Sequence, residues 1–161
     1  MPKKLFLTCA LSTFSILPLF AQTGSLTIDG KLAKYHEVLL KRPESSNLFE
    51  KFQTQFLSTY DDEALEKFLD NQAKAGIAGK QVYGYYLSQR GRESEALDIL
   101  TAAIGQNGKI GQVYLDRAQV YSRMLNFDDA VVDLDRALTL EKDEEFSLKA
   151  NKLKGMNLIH T

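Results

Sequence analysis

An all-α fold, built from antiparallel helix-pair repeats stacked as a short right-handed α-solenoid, is what three observations in this 161-residue chain predict. Only 3 prolines and 10 glycines are present, and the runs between them are rich in Ala, Leu, Glu, Asp, Lys, Gln and Arg, residues that lose little entropy in a helix. Residues 95–104 (EALDILTAAI) line up with residues 129–138 (DAVVDLDRAL), an interval of 34 residues. Each copy carries one stripe on one helix face, Ala96, Leu100 and Ala103 in the first and Ala130, Leu134 and Ala137 in the second. Small residues there let a second helix approach closely, and the leucine fills the space between them.

Residues 1–21 read as a secretory signal peptide: Lys3 and Lys4 precede an uncharged, largely apolar stretch that ends on the small Ala21. An uncleaved membrane anchor is the rival reading, against which the short apolar run and its interruption by Pro18 both weigh. Cys9 lies inside this leader, so the exported remainder has neither disulfides nor thiolate metal sites and must be held by packing alone. Export without disulfides suits the periplasm or cell envelope of a bacterium. Residues 22–30 read as a linker and 31–161 as the helical domain.

Within that domain, Leu32, Tyr35, Val38 and Leu39 share one face of a first helix, which Pro43 forbids from continuing. A degenerate repeat over 45–76 follows. Its first helix carries Leu48, Phe49, Phe52, Phe56 and Leu57, aromatic residues at helical spacing that read as core and not as a ligand pocket. Its second helix echoes Glu95-Ala96-Leu97 as Glu63-Ala64-Leu65, at an interval of 32. Two better repeats span 77–110 and 111–144, in which Tyr83, Gly84 and Leu87 correspond to Arg117, Ala118 and Tyr121. Short polar turns near Gly91 and Asn126 make the helices of each pair antiparallel. Residues 145–159, with Phe146, Ala150, Leu153 and Met156 in one stripe, form a capping or partial helix.

These residues resemble the tetratricopeptide repeat family, whose 34-residue pattern W-x2-L-G-x2-Y, A-x3-F and a final Pro is partly legible here. The copy over 111–144 keeps Tyr114, Ala118, Tyr121, Phe127, Ala130, Leu134 and Ala137, but has Arg117 for the usual Leu and Lys142 where Pro is common. The copy over 77–110 has Lys80 in place of the first aromatic. The resemblance implies that the first helix of each repeat lines a concave groove for extended peptides or partner helices. Carried onto this chain, the groove side chains are Gln81, Tyr85, Ser88 and Gln89 in one repeat and Leu115, Asp116, Gln119 and Arg123 in the next. The lysines and asparagines with which some members grip a C-terminal carboxylate are missing from those positions.

Catalytic groups are not assembled anywhere in the pattern. The two histidines, His36 and His160, stand alone, and no metalloprotease, nucleophile-elbow or cysteine-histidine arrangement is present. Residues 76–81 (GIAGKQ) have a passing likeness to a phosphate loop, but Gln81 stands where magnesium would need Ser or Thr, and the glycines read better as helix ends. The acidic runs Asp61-Asp62-Glu63, Asp128-Asp129 and Asp143-Glu144-Glu145 fall where helices begin and face the positive end of the helix dipole. A net charge of −1, with both signs mixed along the chain, offers no field for nucleic acid. Lys149, Lys152 and Lys154 read as a solvated helix face. The expectation is therefore a non-enzymatic scaffold with no cofactor or metal and a protein or peptide partner. An accessory or regulatory domain docking to an enzyme or envelope assembly is the alternative, and self-association is compatible with both.

Overall fold

The computed structural model describes residues 26–160, which hold eight helices and no strand. They are α1 (Gly30–Lys41), α2 (Ser46–Leu57), α3 (Asp62–Ala75), α4 (Ile77–Gln89), α5 (Glu93–Gln106), α6 (Gly111–Arg123), α7 (Phe127–Leu140) and α8 (Glu144–Leu158). The leader expected over 1–21 lies outside the described residues. Among those described, no helix is long and apolar enough to cross a membrane.

Two of the acidic runs have the capping role their position suggests. The Asp61 carboxylate accepts from the Ala64 N–H at 2.8 Å and the Asp143 carboxylate from the Phe146 N–H at 3.0 Å, each satisfying a donor that the first turn leaves free. Asp128 and Asp129 sit in the first turn of α7.

The 34-residue period is written into the backbone of the turns. At the end of α4 the Arg92 N–H returns to the Leu87 carbonyl at 3.0 Å, and 34 residues later the Asn126 N–H returns to the Tyr121 carbonyl at 2.9 Å. Each turn passes through one left-handed residue, Gly91 at φ 72° and Leu125 at φ 62°. Glycine adopts that conformation freely, whereas a leucine there costs about 1 kcal/mol. The earlier helix pair is out of step because Gly76 alone joins α3 to α4, while four residues join α5 to α6. α2 and α3 therefore precede α4 and α5 by 31 residues, which puts Leu65 and not Ala64 in the place of Ala96. Leu65 and Leu69 are fully buried and Ala64 is half-exposed, a correction to the register of the sequence echo.

Helix approach is close wherever a small residue stands at a crossing. Ala96, Ala103, Ala118, Ala130 and Ala137 have no exposed surface. A Cβ on Gly84 would come within 3.0 Å of the Leu100 side chain. A Cβ on Gly79 would meet the backbone oxygen of Gln72 at 2.1 Å, because the one-residue link folds α4 tightly back on α3. Gly79 is therefore neither a helix end nor part of a phosphate loop. It is a contact residue inside α4.

The larger core cluster runs from Leu32 of α1 to Val120 of α6 and includes the aromatic residues Phe49, Phe52, Phe56, Phe68, Tyr83 and Tyr86. His36 joins it, with its ring 5.0 Å from that of Phe68 and 5.6 Å from that of Phe52, and burial lowers its pKa so that the neutral imidazole is favoured. A smaller cluster joins α6, α7 and α8 through Leu115, Ala118, Ala130, Leu134, Ala137 and Ala150. Three expected core members lie outside: Val38, Leu57 and Met156 are 42%, 41% and 56% exposed. On α8 the buried position one residue past Met156 belongs to Asn157, whose amide binds Ser122 of α6 and the Leu153 carbonyl.

Arg117, which replaces an apolar residue of the repeat pattern, pairs with Asp133 through two hydrogen bonds of 2.7 and 2.8 Å. The two side chains are only 16% and 5% exposed. The guanidinium also donates to Thr101 Oγ1 at 3.1 Å and lies 5.9 and 5.7 Å from the ring centres of Tyr114 and Tyr121, so one cation ties α5, α6 and α7 together.

Two stability predictions follow from these contacts. Gly79→Ala destabilises by about 1–3 kcal/mol despite its better helix propensity, because backbone must move. Gly105→Ala, at a helical site with nothing within 4 Å of the added Cβ, stabilises by up to about 1 kcal/mol. Urea titration of both variants separates close packing from propensity. Arg117→Leu strands a buried carboxylate and costs about 3–5 kcal/mol, whereas Arg117→Leu with Asp133→Leu recovers most of that loss. A double-mutant cycle in denaturant measures the coupling.

Candidate interaction groove

α4, α6 and α8 touch in series through polar pairs set 35 residues apart. Gln81 of α4 donates to the Asp116 carboxylate of α6 at 2.8 Å, Arg123 of α6 donates to the Ser88 carbonyl of α4 at 2.9 Å, and Ser122 of α6 donates to Asn157 of α8 at 2.8 Å. These bonds fix one face of the stack.

That face opens into a cavity of about 200 Å³. Of the eight groove residues expected from the sequence, Gln81, Tyr85, Ser88, Asp116, Gln119 and Arg123 line it together. Gln89 is exposed and lies off its walls. Leu115 is a correction. It is fully buried in the cluster with Ala150, because α8 packs over the face of α6 that a simple helix-pair reading leaves open.

Tyr85 and Asp116 are each held by neighbouring side chains. Tyr85 packs edge-on against Phe49 at 5.1 Å between ring centres, which anchors the one aromatic of the cavity to the core. Asp116 accepts from Gln81 and, at 2.7 Å, from Gln112. Burial nevertheless dominates and pushes its pKa up to about 6, with the two amides and Lys149 of α8 working against the rise and Glu44 adding to it.

The remaining lining residues could not be read from the repeat. Pro43, Glu44 and Ser46 come from the corner between α1 and α2, and Lys149 from α8, so segments about a hundred residues apart in sequence close the two sides of one cavity. Lys149 also borders two neighbouring openings. It is therefore a groove residue, where the sequence pattern suggested only a solvated face. Lys154, by contrast, pairs with Asp135 of α7. Among the described residues, no group of His, Cys, Asp and Glu is arranged to hold a metal ion.

No family model matches the chain, and no curated protein matches it. Among solved structures it is similar to the crystal structure of MamA protein, at 19% identity over 82% of this chain and 78% of that one, with a TM-score of 0.48.

Asp116 gives the groove a measurable signature. Its folded pKa of about 6 lies above the ordinary 3.8, so the folded state holds the extra proton between those values and loses stability as pH rises through them. Asp116→Asn removes that cost. It should stabilise the chain by about 1–2 kcal/mol at pH 7 to 8 and by almost nothing below pH 4, as followed by urea denaturation of both proteins across that range.

Proposed function

We propose that this chain is a tetratricopeptide-type scaffold of the bacterial envelope, with no catalysis of its own, that holds a protein or peptide partner in the groove along α4, α6 and α8. The observation that carries the reading is the convergence of Gln81, Tyr85, Ser88, Asp116, Gln119 and Arg123 on one cavity on the inner helices of two repeats. Such a surface presents amide, hydroxyl, carboxylate and guanidinium groups around a single aromatic anchor. That mixture suits hydrogen bonding to an extended backbone better than it suits a small apolar ligand.

The 34-residue turn period supports assignment to the repeat family, and the composition of residues 1–21 supports export. Peptide grooves are energetically uneven, and a few anchors carry most of the binding. Tyr85 and Arg123 are the anchors of this one.

A photo-crosslinking amino acid placed at Gln119 or Ser46 in the native cell should capture a discrete partner. The same probe at Ser94 or Arg136, exposed positions of α5 and α7, should capture none. Capture only from the outer helices would overturn the groove reading. Replacing Tyr85 and Arg123 by alanine should lower capture from Gln119 at unchanged helical content.

A further inference from the structure

Beside the cavity, between α6 and α8, runs an open trough of about 440 Å³. Its walls carry Arg123, Lys149 and Lys152 together with the apolar Leu153 and Met156, and hold no carboxylate. Among the described residues none of these three cations is in an ion pair, although Lys154, two residues past Lys152, is paired with Asp135. Arg123 gives one N–H to the Ser88 carbonyl, which fixes the guanidinium and leaves its other donors free.

We propose that this trough receives an extended acidic segment of the partner, with Asp or Glu side chains against Arg123, Lys149 and Lys152 and the intervening apolar side chains on Leu153 and Met156. The proposal rests on the scaffold reading above and names the chemistry of the partner. Three cations outside any ion pair, offset in part by the Asp116 carboxylate on which Lys149 acts, leave a positive potential that attracts carboxylates and speeds their arrival. Lys149 and Lys152 are three residues apart on the same side of α8, and Arg123 stands on the helix opposite, so cations flank the trough from both walls. A methionine on the apolar strip adapts to different side chains at little cost.

The neighbouring opening at the corner between α1 and α2 carries Glu44, Glu141, Asp143 and Glu145 against Arg42 and Lys149, so acids outnumber bases there. Like charge turns an acidic segment away from that end and confines it to the side of α8 where the lysines are.

The test is fluorescence anisotropy of the purified chain with labelled peptides of about eight residues, alternating Glu and Leu, at low salt. The probe should bind, and replacing every Glu by Gln should weaken binding by at least about tenfold, as should raising the salt to about 0.5 M. The triple substitution Arg123→Gln, Lys149→Gln and Lys152→Gln should cause the same loss at unchanged circular dichroism. Lys34→Gln, Lys67→Gln and Lys109→Gln, which remove equal charge from exposed sites elsewhere, should leave binding intact. Equal affinity for the Gln peptide, equal loss in the control triple, or binding abolished by amidating the peptide's C-terminus would each overturn the proposal, as would no binding at all. Partner capture from Gln119 without acidic-peptide binding would sink this inference and leave the scaffold reading standing.

Discussion

Backbone proximity at the helix crossings is the constraint from which the rest of the stack follows. A helix pair buries its apolar stripe only if the two axes come close, and closeness is set by what stands at the crossing point. Ala96 and Ala130 contribute a single methyl there, and Gly84 contributes nothing, which lets the Leu100 side chain sit against bare backbone. At Gly79 the approach is tighter still, against the Gln72 carbonyl itself. Larger side chains at these points would separate the axes, and the leucines that now fill the gaps would face voids or water.

Once the pairs are packed, the inner helices are brought within hydrogen-bonding range of one another, and polar residues take over. Gln81 with Asp116, Arg123 with Ser88, and Ser122 with Asn157 join α4, α6 and α8 at a constant spacing. The same bonds that hold the inner helices together also determine which side chains are left to face the cavity. Asp116 shows the consequence, because the helix contact that half-buries it also makes its ionised form costly.

Arg117 shows how a departure from an apolar repeat position is absorbed. A buried guanidinium in place of leucine is tolerable only with full compensation, and the fold supplies a bidentate carboxylate, a hydroxyl and two aromatic faces. The ion pair joins α6 to α7, and the bond from Arg117 to Thr101 extends the contact to α5.

The sequence by itself determined the helical class, the 34-residue interval and the small-residue stripes, because helix propensity and the 3.6-residue period act locally and repeat wherever the pattern repeats. The resemblance to the repeat family that those stripes carry implied most of the cavity lining, namely Gln81, Tyr85, Ser88, Asp116, Gln119 and Arg123. Only the tertiary structure decided that Leu115 belongs to the core, that Leu65 and not Ala64 faces the neighbouring helix, that Gly79 is a contact residue, and that Glu44 and Lys149 close the groove from opposite ends of the chain. The physical reason is common to these cases. Each depends on a packing neighbour or a link length, such as the single residue Gly76 or the position of α8 over α6, and such long-range contacts leave no periodic trace in the sequence.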